Sequence, residues 1–371
     1  MNPSTFILVS PGAVDGYPPV QYQARLLAEA GHSVTLVTTP RRQEQTRPAF
    51  CHPGVAIRCI SGRAAFGGRL SRMWQFGWAL LAARRAAPQN VIEIAYDPIG
   101  LFYSDRIPLR PRRRMAHLHE LLQYPESFLE KRLQNAIHSY DAVIVPDTDR
   151  AAHTQRMLRL AQSPLVIENY PLRAPKPLVA SKEPGSRFEV IYCGSLGLQQ
   201  KLDTVIRSIP DWPGHANLVL IGNDETRTAI FLRNLVVDLG LQDRVQFLGW
   251  METPEAERRL AQADIGIAIF ETDIEQLSTA LGASNKRFQY MKAGLPQIGD
   301  GNPGIVALIE GNKIGSCVAM DEPTEIAALV CAYSGDHQRC CEEGKRAFAL
   351  HQSQFNYERV FARLLKQIEC W

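Results

Sequence analysis

No Cys-x-x-Cys pair occurs anywhere in the 371 residues, and of the eight cysteines only Cys340 and Cys341 adjoin. That spacing excludes the familiar zinc-finger and disulfide-framework patterns and reads as a set of reduced thiols. Long hydrophobic runs are missing as well. The richest stretch, Leu70 to Ala87, is interrupted by Arg72, Gln75, Arg84 and Arg85, so no segment offers the roughly 20 apolar residues that a membrane span needs. Neither sign of charge prevails: 41 basic side chains face 38 acidic ones, and bulk electrostatics therefore gives no preference for nucleic acid. The opening Met1-Asn2-Pro3-Ser4-Thr5 runs straight into an apolar strand with no basic region. A secretory signal is not expected, and a cytoplasmic location is.

What is present is an ordinary globular composition, 45% hydrophobic and 21% charged, in a chain too long for a single core. Two domains are expected, each built from alternating strands and helices. Phe6 to Val9 is a short apolar run of the kind buried on both faces of a sheet. Gly12 and Gly16 sit in the loop after it, Leu26, Leu27 and Ala30 recur at helical spacing, Gly31 fits a helix stop, and Val34 to Val37 resumes strand character. The alternation continues through strands at Val55 to Ile60, Val91 to Ala95, Met115 to Leu118, Ala142 to Val145 and Pro164 to Ile167. It breaks at a Pro-, Lys- and Ser-rich stretch and restarts at Glu189 to Tyr192. The expected division is 1–172, a linker at 173–187, and 188–353. The terminal helix, 354–371, either packs on the second domain or crosses back to the first. Alternation at this spacing implies parallel sheets with helices on both faces, which bind ligands beyond the carboxyl ends of their strands.

The most telling stretch is Asn285-Lys286-Arg287-Phe288-Gln289-Tyr290-Met291-Lys292-Ala293-Gly294-Leu295-Pro296. It resembles the nucleotide-sugar-binding segment of GT-B glycosyltransferases of the family 4 type (glycosyl transferases group 1), commonly Asn-Lys-x-Phe-Glu-Tyr-Met-x-x-Gly-x-Pro. The resemblance implies two facing Rossmann-like domains with parallel sheets and a cleft between them. In the family the Glu of this segment binds the donor ribose, and here Gln289 replaces it. An amide keeps one acceptor oxygen and adds two donors but loses the charge, so weaker donor binding is the natural consequence.

Val190 to Asp203 leads a buried strand into a loop with Gly194, Ser195 and Gly197, and a helix begins near Leu202. Such a turn can be purely structural, or its amides can meet a phosphate with Lys201 adding a charge. The resemblance makes Lys201 a diphosphate contact. It also places Ser195 where the family usually has Arg. Asn223, after the next strand, lies in a loop that resembles one near the nucleotide base, although Asn223 or Asp224 serves equally as a helix N-cap. Helix-end amides around Gly304 complete the implied donor set: Gly12, Gly16, Gly194, Ser195, Lys201, Asn223, Asn285, Lys286, Gln289 and Gly304.

In the first half, His117-Leu118-His119-Glu120 ends a strand, with both histidines on one face. These are strand-end polar residues or, as relatives suggest, contacts to the transferred sugar or acceptor. Asp97 and Asn169 occupy similar rim positions. His-x-His alone makes a poor metal site, and no metal or cofactor is expected. Arg110, Arg112, Arg113 and Arg114 read as a solvated loop or as a contact with an anionic membrane surface, aided by Trp74, Phe76 and Trp78 unless these form a core face. The expected activity is sugar transfer from a UDP-, GDP- or dTDP-sugar to a hydroxyl acceptor, with retention, in polysaccharide, glycolipid or secondary-metabolite glycosylation. His119, Glu120 and Lys201 are the expected catalytic residues. A sugar-nucleotide epimerase and a non-catalytic binding relative are the alternatives.

Overall fold

The computed structural model describes residues 3–40, 47–60, 68–88, 90–121, 128–174, 187–271, 281–319 and 322–369. The chain forms two compact units, Met1–Asn169 with Tyr357–Trp371, and Tyr170–Asn356. Most of the expected linker lies outside the described residues.

In the first unit seven parallel strands, β1 (Thr5–Ala13), β2 (Ser33–Thr39), β3 (Val55–Cys59), β4 (Val91–Tyr96), β5 (Arg113–His117), β6 (Ala142–Val145) and β7 (Leu165–Val166), lie in the order β3-β2-β1-β4-β5-β6-β7. Helices α1 (Pro18–Glu29), α2 (Gly68–Ala86), α3 (Asp97–Arg106), α4 (Phe128–Ala136) and α5 (Thr148–Leu158) alternate with them. The central apolar run becomes a strand covered on both faces: all six residues of β4 are buried. One of these is Glu93, which is matched by Arg84 at 2.7 Å and by the Ser104 hydroxyl at 2.5 Å. Gly31, at φ 86°, occupies the left-handed position that ends α1. The two central strands, β1 and β4, are the point from which the order runs outward in both directions, so their carboxyl ends open the crevice that binds ligands in such sheets.

The second unit repeats the plan. Strands β8 (Phe188–Cys193), β9 (Ala216–Ile221), β10 (Val245–Phe247), β11 (Ile265–Ala268), β12 (Gln297–Gly299) and β13 (Gly315–Cys317) lie in the order β10-β9-β8-β11-β12-β13 and are all parallel. Its helices are α6 (Leu202–Ser208), α7 (Arg227–Asp238), α8 (Thr253–Leu260), α9 (Asn285–Ala293), α10 (Pro303–Ile309), α11 (Pro323–Ser334) and α12 (His337–Ser353). Here β8 and β11 hold the central position. The last helix, α13 (Tyr357–Glu369), belongs to the first unit, where Tyr357 packs on Tyr22 with ring centroids 5.4 Å apart. Where the chain enters the second unit, Tyr170 meets Phe288 of α9 at 4.3 Å. Where it leaves, Phe355 meets the same ring at 5.5 Å and Tyr170 at 5.6 Å.

Two sequence expectations fail in the first unit. Arg113 and Arg114 are not loop residues, because β5 begins with them. Arg113 pairs with Asp141 at 2.9 Å, and buried Arg114 bonds Ser139 and lies 4.5 Å from the Tyr140 ring. Trp74 and Trp78 do not face the core. They are 71% and 60% exposed, whereas Phe76 between them is buried. α2 has apolar residues all round, so its inward face could not be picked out by spacing alone.

Candidate active site

In the second unit the loop after β8 is shaped by close approach. Gly194 has φ 153°, and a Cβ there would lie 2.1 Å from Cε of Lys286. Lys286, in the first turn of α9, therefore rests directly on the glycine. Its ammonium is 5.2 Å from the centre of the Phe270 ring and 5.7 Å from that of Tyr192, a cation held over two aromatic faces. Gly222 is packed in its turn, since a Cβ would come within 2.1 Å of the Gly194 carbonyl oxygen.

Lys201 has a left-handed backbone, φ 48°, and stands at the start of α6. Its ammonium pairs with Glu271 at 2.9 Å, and the Glu271 amide donates to the Gln199 carbonyl at 2.9 Å. Phe270 and Glu271, consecutive at the end of β11, thus carry Lys286 and Lys201 respectively. Glu271 reads in the sequence as one acid of a solvated loop. Nothing but its register at a strand end marks it as a partner. The rest of that acidic stretch, 272–280, lies outside the described residues.

Beneath this surface Arg287 and Asp300 form a buried pair at 2.5 Å. The guanidinium also donates to the Ala268 carbonyl at 3.2 Å and lies 4.4 Å from the Phe270 ring centre. Asp300 accepts from the amides of Phe270 and Asn302, at 3.3 and 3.2 Å. One ion pair therefore ties the donor segment to the ends of β11 and β12. Burial lowers the Arg287 pKa, with Asp300 opposing the shift.

The remaining donor residues fall out as follows. Asn285 begins α9 with its side-chain oxygen buried and, like the Ser284 hydroxyl before it, without a hydrogen-bond partner among the described residues. Gln289 is half-buried one turn on. Ser195 is exposed, and its carbonyl accepts from the Tyr192 hydroxyl at 2.7 Å. Asn223 is not the cap of α7: Thr226 caps it, accepting from the Ala229 amide at 3.1 Å, and Asn223 closes a small turn onto Glu225. Asp224 instead pairs with Arg233. The Gly304 amide itself is engaged, donating to the Asn302 side chain at 2.9 Å.

In the first unit Gly12, expected in a loop, lies at the end of β1, which β2 ties down: the Thr38 and Thr39 hydroxyls donate to the carbonyls of Gly12 and Pro11 at 3.0 and 2.8 Å. A Cβ at Gly16 would meet nothing within 4 Å, so open space lies beside that residue. Beyond β4 and β5 stands a cluster that the sequence shows only in part. His117 and His119 stack with ring centroids 4.3 Å apart, Tyr96 stacks on His119 at 5.6 Å, and Tyr17 packs against it at 5.6 Å. Asp97, at φ 55°, binds His119 twice. One oxygen accepts the backbone amide at 2.8 Å and the other lies 3.2 Å from Nδ1. Burial, reinforced by Asp97 and Glu120, pushes the Tyr17 phenol up to about 12. Burial and the neighbouring His119 hold the His117 pKa well below the imidazole range. Glu120 does not join His119 in a working pair: its side chain is 64% exposed, 4.0 Å from Arg150, while His119 is buried. Among the described residues no three His, Cys, Asp or Glu side chains are grouped to hold a metal, and no helix is long and apolar enough to cross a membrane.

Residues 187–336 match the family of glycosyl transferases group 1. No curated protein matches the sequence significantly. Among solved structures the chain is similar to HepE of Anabaena in complex with UDP and glucose, at 15% identity over 99% of this chain and 100% of that one, with a TM-score of 0.73. It is also similar to sucrose-phosphate synthase of Thermosynechococcus elongatus, at 15% identity over 99% of both chains and a TM-score of 0.71. A third is WaaG, a glycosyltransferase involved in lipopolysaccharide biosynthesis, at 13% identity over 96% of this chain and 97% of that one, with a TM-score of 0.65. The sheets, their strand orders and these likenesses agree: the chain has the GT-B fold, and residues 187–336, within its second unit, match the model of glycosyl transferases group 1.

Proposed function

We propose that this protein transfers a glycosyl group from a nucleoside diphosphate sugar to a hydroxyl acceptor, with retention and without a metal. The observation that carries the reading is Lys286 lying on Gly194 at the end of β8, with Lys201 at the next helix start. Two ammonium groups on one rim suit a leaving diphosphate, and cations fixed where charge develops stabilise the transition state most effectively. Lys201 is paired with Glu271, so a bound diphosphate competes with that carboxylate for it. The leaving phosphate oxygen takes the proton of the incoming hydroxyl in this scheme. Binding of the nucleotide falls to the second unit and of the acceptor to the first, where His119 supplies a polar contact.

Peripheral membrane contact enters the proposal only through the exposed Arg110 and Arg112 with Trp74 and Trp78. At about 1 kcal/mol per charge near an anionic surface, two arginines support weak contact and no anchoring.

The reading is tested by measuring nucleoside diphosphate release from UDP-, GDP- and dTDP-sugars, beginning with UDP-glucose because the HepE structure holds UDP and glucose. Release that rises on adding a hydroxyl acceptor is the expected result. Conversion of the donor sugar without release would establish an epimerase instead, and tight binding with neither outcome a non-catalytic protein. Gln289→Glu restores the carboxylate that the family usually has, and it is expected to tighten donor binding up to about tenfold, the strength of one charge-assisted bond over a neutral one. Calorimetry of UDP binding decides this. A tenfold loss would mean that the pocket is built around the amide.

A further inference from the structure

Three observations meet at the end of β5. Asp97 holds both the backbone amide and Nδ1 of His119. Nε2 of His119 is buried and, among the described residues, has no partner. The His117 ring stacked against it is bonded differently. The Tyr96 hydroxyl donates to Oε1 of Gln23 at 2.5 Å, which leaves Gln23 Nε2 to donate to Nδ1 of His117 at 3.1 Å. A carboxylate can only accept, so Nδ1 of His119 carries the proton, and in the neutral ring Nε2 presents a lone pair. The amide can only donate through nitrogen, so Nδ1 of His117 is bare and its Nε2 carries the proton. Buried polar atoms without partners are rare in folded proteins, and two on adjacent stacked rings mark a place where something polar binds.

We infer that Asp97 is a positioning residue. It locks His119 as the Nδ1–H tautomer so that Nε2 accepts a hydrogen bond from a substrate hydroxyl, while Gln23 locks His117 in the opposite tautomer, with Nε2–H as a donor to an oxygen. The two rings together form a donor–acceptor pair suited to the vicinal hydroxyls of a sugar. The assignment of a sugar hydroxyl rests on the transferase reading, but the lock itself does not. The backbone of Asp97 supports the argument. Its φ of 55° is uncommon for any residue but glycine, and aspartate and asparagine are among those that tolerate it. That conformation turns the first residue of α3 back toward β5. His117 stays neutral because of its burial beside His119, as a ring bonded through a bare Nδ1 requires.

The experiment is long-range 15N–1H correlation of the imidazoles in the wild-type protein, with the two rings assigned from His117→Asn and His119→Asn spectra. Opposite tautomers, Nδ1–H for His119 and Nε2–H for His117, are expected. The same tautomer in both, or Nε2–H at His119, would overturn the inference, and this wild-type measurement decides it even where no variant folds. Asp97→Asn fits the same backbone but turns a donor toward Nδ1, so His119 should switch to Nε2–H with the melting temperature little changed. Transfer should then fall by roughly 10²-fold or more in kcat, the kind of loss that follows a wrong histidine tautomer. A switched tautomer with unchanged kcat would remove the positioning role. A wild type that transfers from no donor sinks the transferase reading alone, and the spectra still decide the lock.

Discussion

Asp300→Ala should unfold the second unit far more easily than the wild type, at a cost of about 3–5 kcal/mol. The reason is the charge left behind. Arg287 is 1% exposed and Asp300 2%, and breaking a buried pair by removing one partner strands an uncompensated ion in a poorly solvating interior. Among the described residues the guanidinium then keeps a hydrogen bond to the Ala268 carbonyl and the face of Phe270, which do not cancel a full charge. At roughly 2–4 °C per kcal/mol for a unit of this size, the midpoint should fall by about 6–20 °C. Thermal unfolding followed by circular dichroism provides the measurement. A double replacement, Arg287→Met with Asp300→Leu, should recover most of the loss, since apolar residues often substitute for a buried pair at little net cost. If the single and double variants are equally unstable, packing and the two Asp300-bound amides matter more than charge.

Lys286→Ala should lower kcat by about 10²–10³-fold while leaving the fold intact, the range found on removing one fixed group that stabilises developing negative charge. Its ammonium is held over the aromatic faces of Phe270 and Tyr192, which leave its charge intact. Lys201→Ala should cost less, because Lys201 is already partly neutralised by Glu271 at 2.9 Å. Gly194→Ala is the informative control. The added methyl occupies the position over which Lys286 lies, 2.1 Å from its Cε, so it should displace the lysine and approach the effect of Lys286→Ala without removing the charge. Steady-state kinetics on the three variants separates the roles. Equal losses at Lys201 and Lys286 would show that Glu271 does not hold Lys201 back.

The strand positions were largely legible in the sequence, because strands buried on both faces are short apolar runs and nearly every such run became a strand. The family likeness singled out Lys286, Lys201 and Gly194 as candidates, and the structure lays Lys286 on Gly194. Arg287 was not singled out. It occupies the variable position of the family segment, and a lone arginine after a lysine looks like helix-surface charge until its burial against Asp300 is seen. Asp97 was equally well hidden, since Asp-Pro after a strand is an ordinary helix start, and only φ 55° and the position of β5 turn it toward His119. The Arg110 to Arg114 run misled because β5 begins inside it, so that Arg114 is buried and Arg113 is paired with Asp141. Trp74 and Trp78 were unreadable for the opposite reason: a helix with apolar residues all round offers no periodicity to say which of them face inward.

The meeting of Tyr170 and Phe355 on Phe288 gives the second unit the topology of a cassette. It is one uninterrupted stretch, Tyr170–Asn356, inserted into a chain that resumes afterwards with a single helix of the first unit. Its two ends emerge within one aromatic cluster, the arrangement that lets domains be inserted, permuted or excised with little damage. Helix α9 carries the latch of that cassette on its buried side, where Phe288 joins the entering and leaving segments of the chain while Arg287 beside it ties the helix to Asp300.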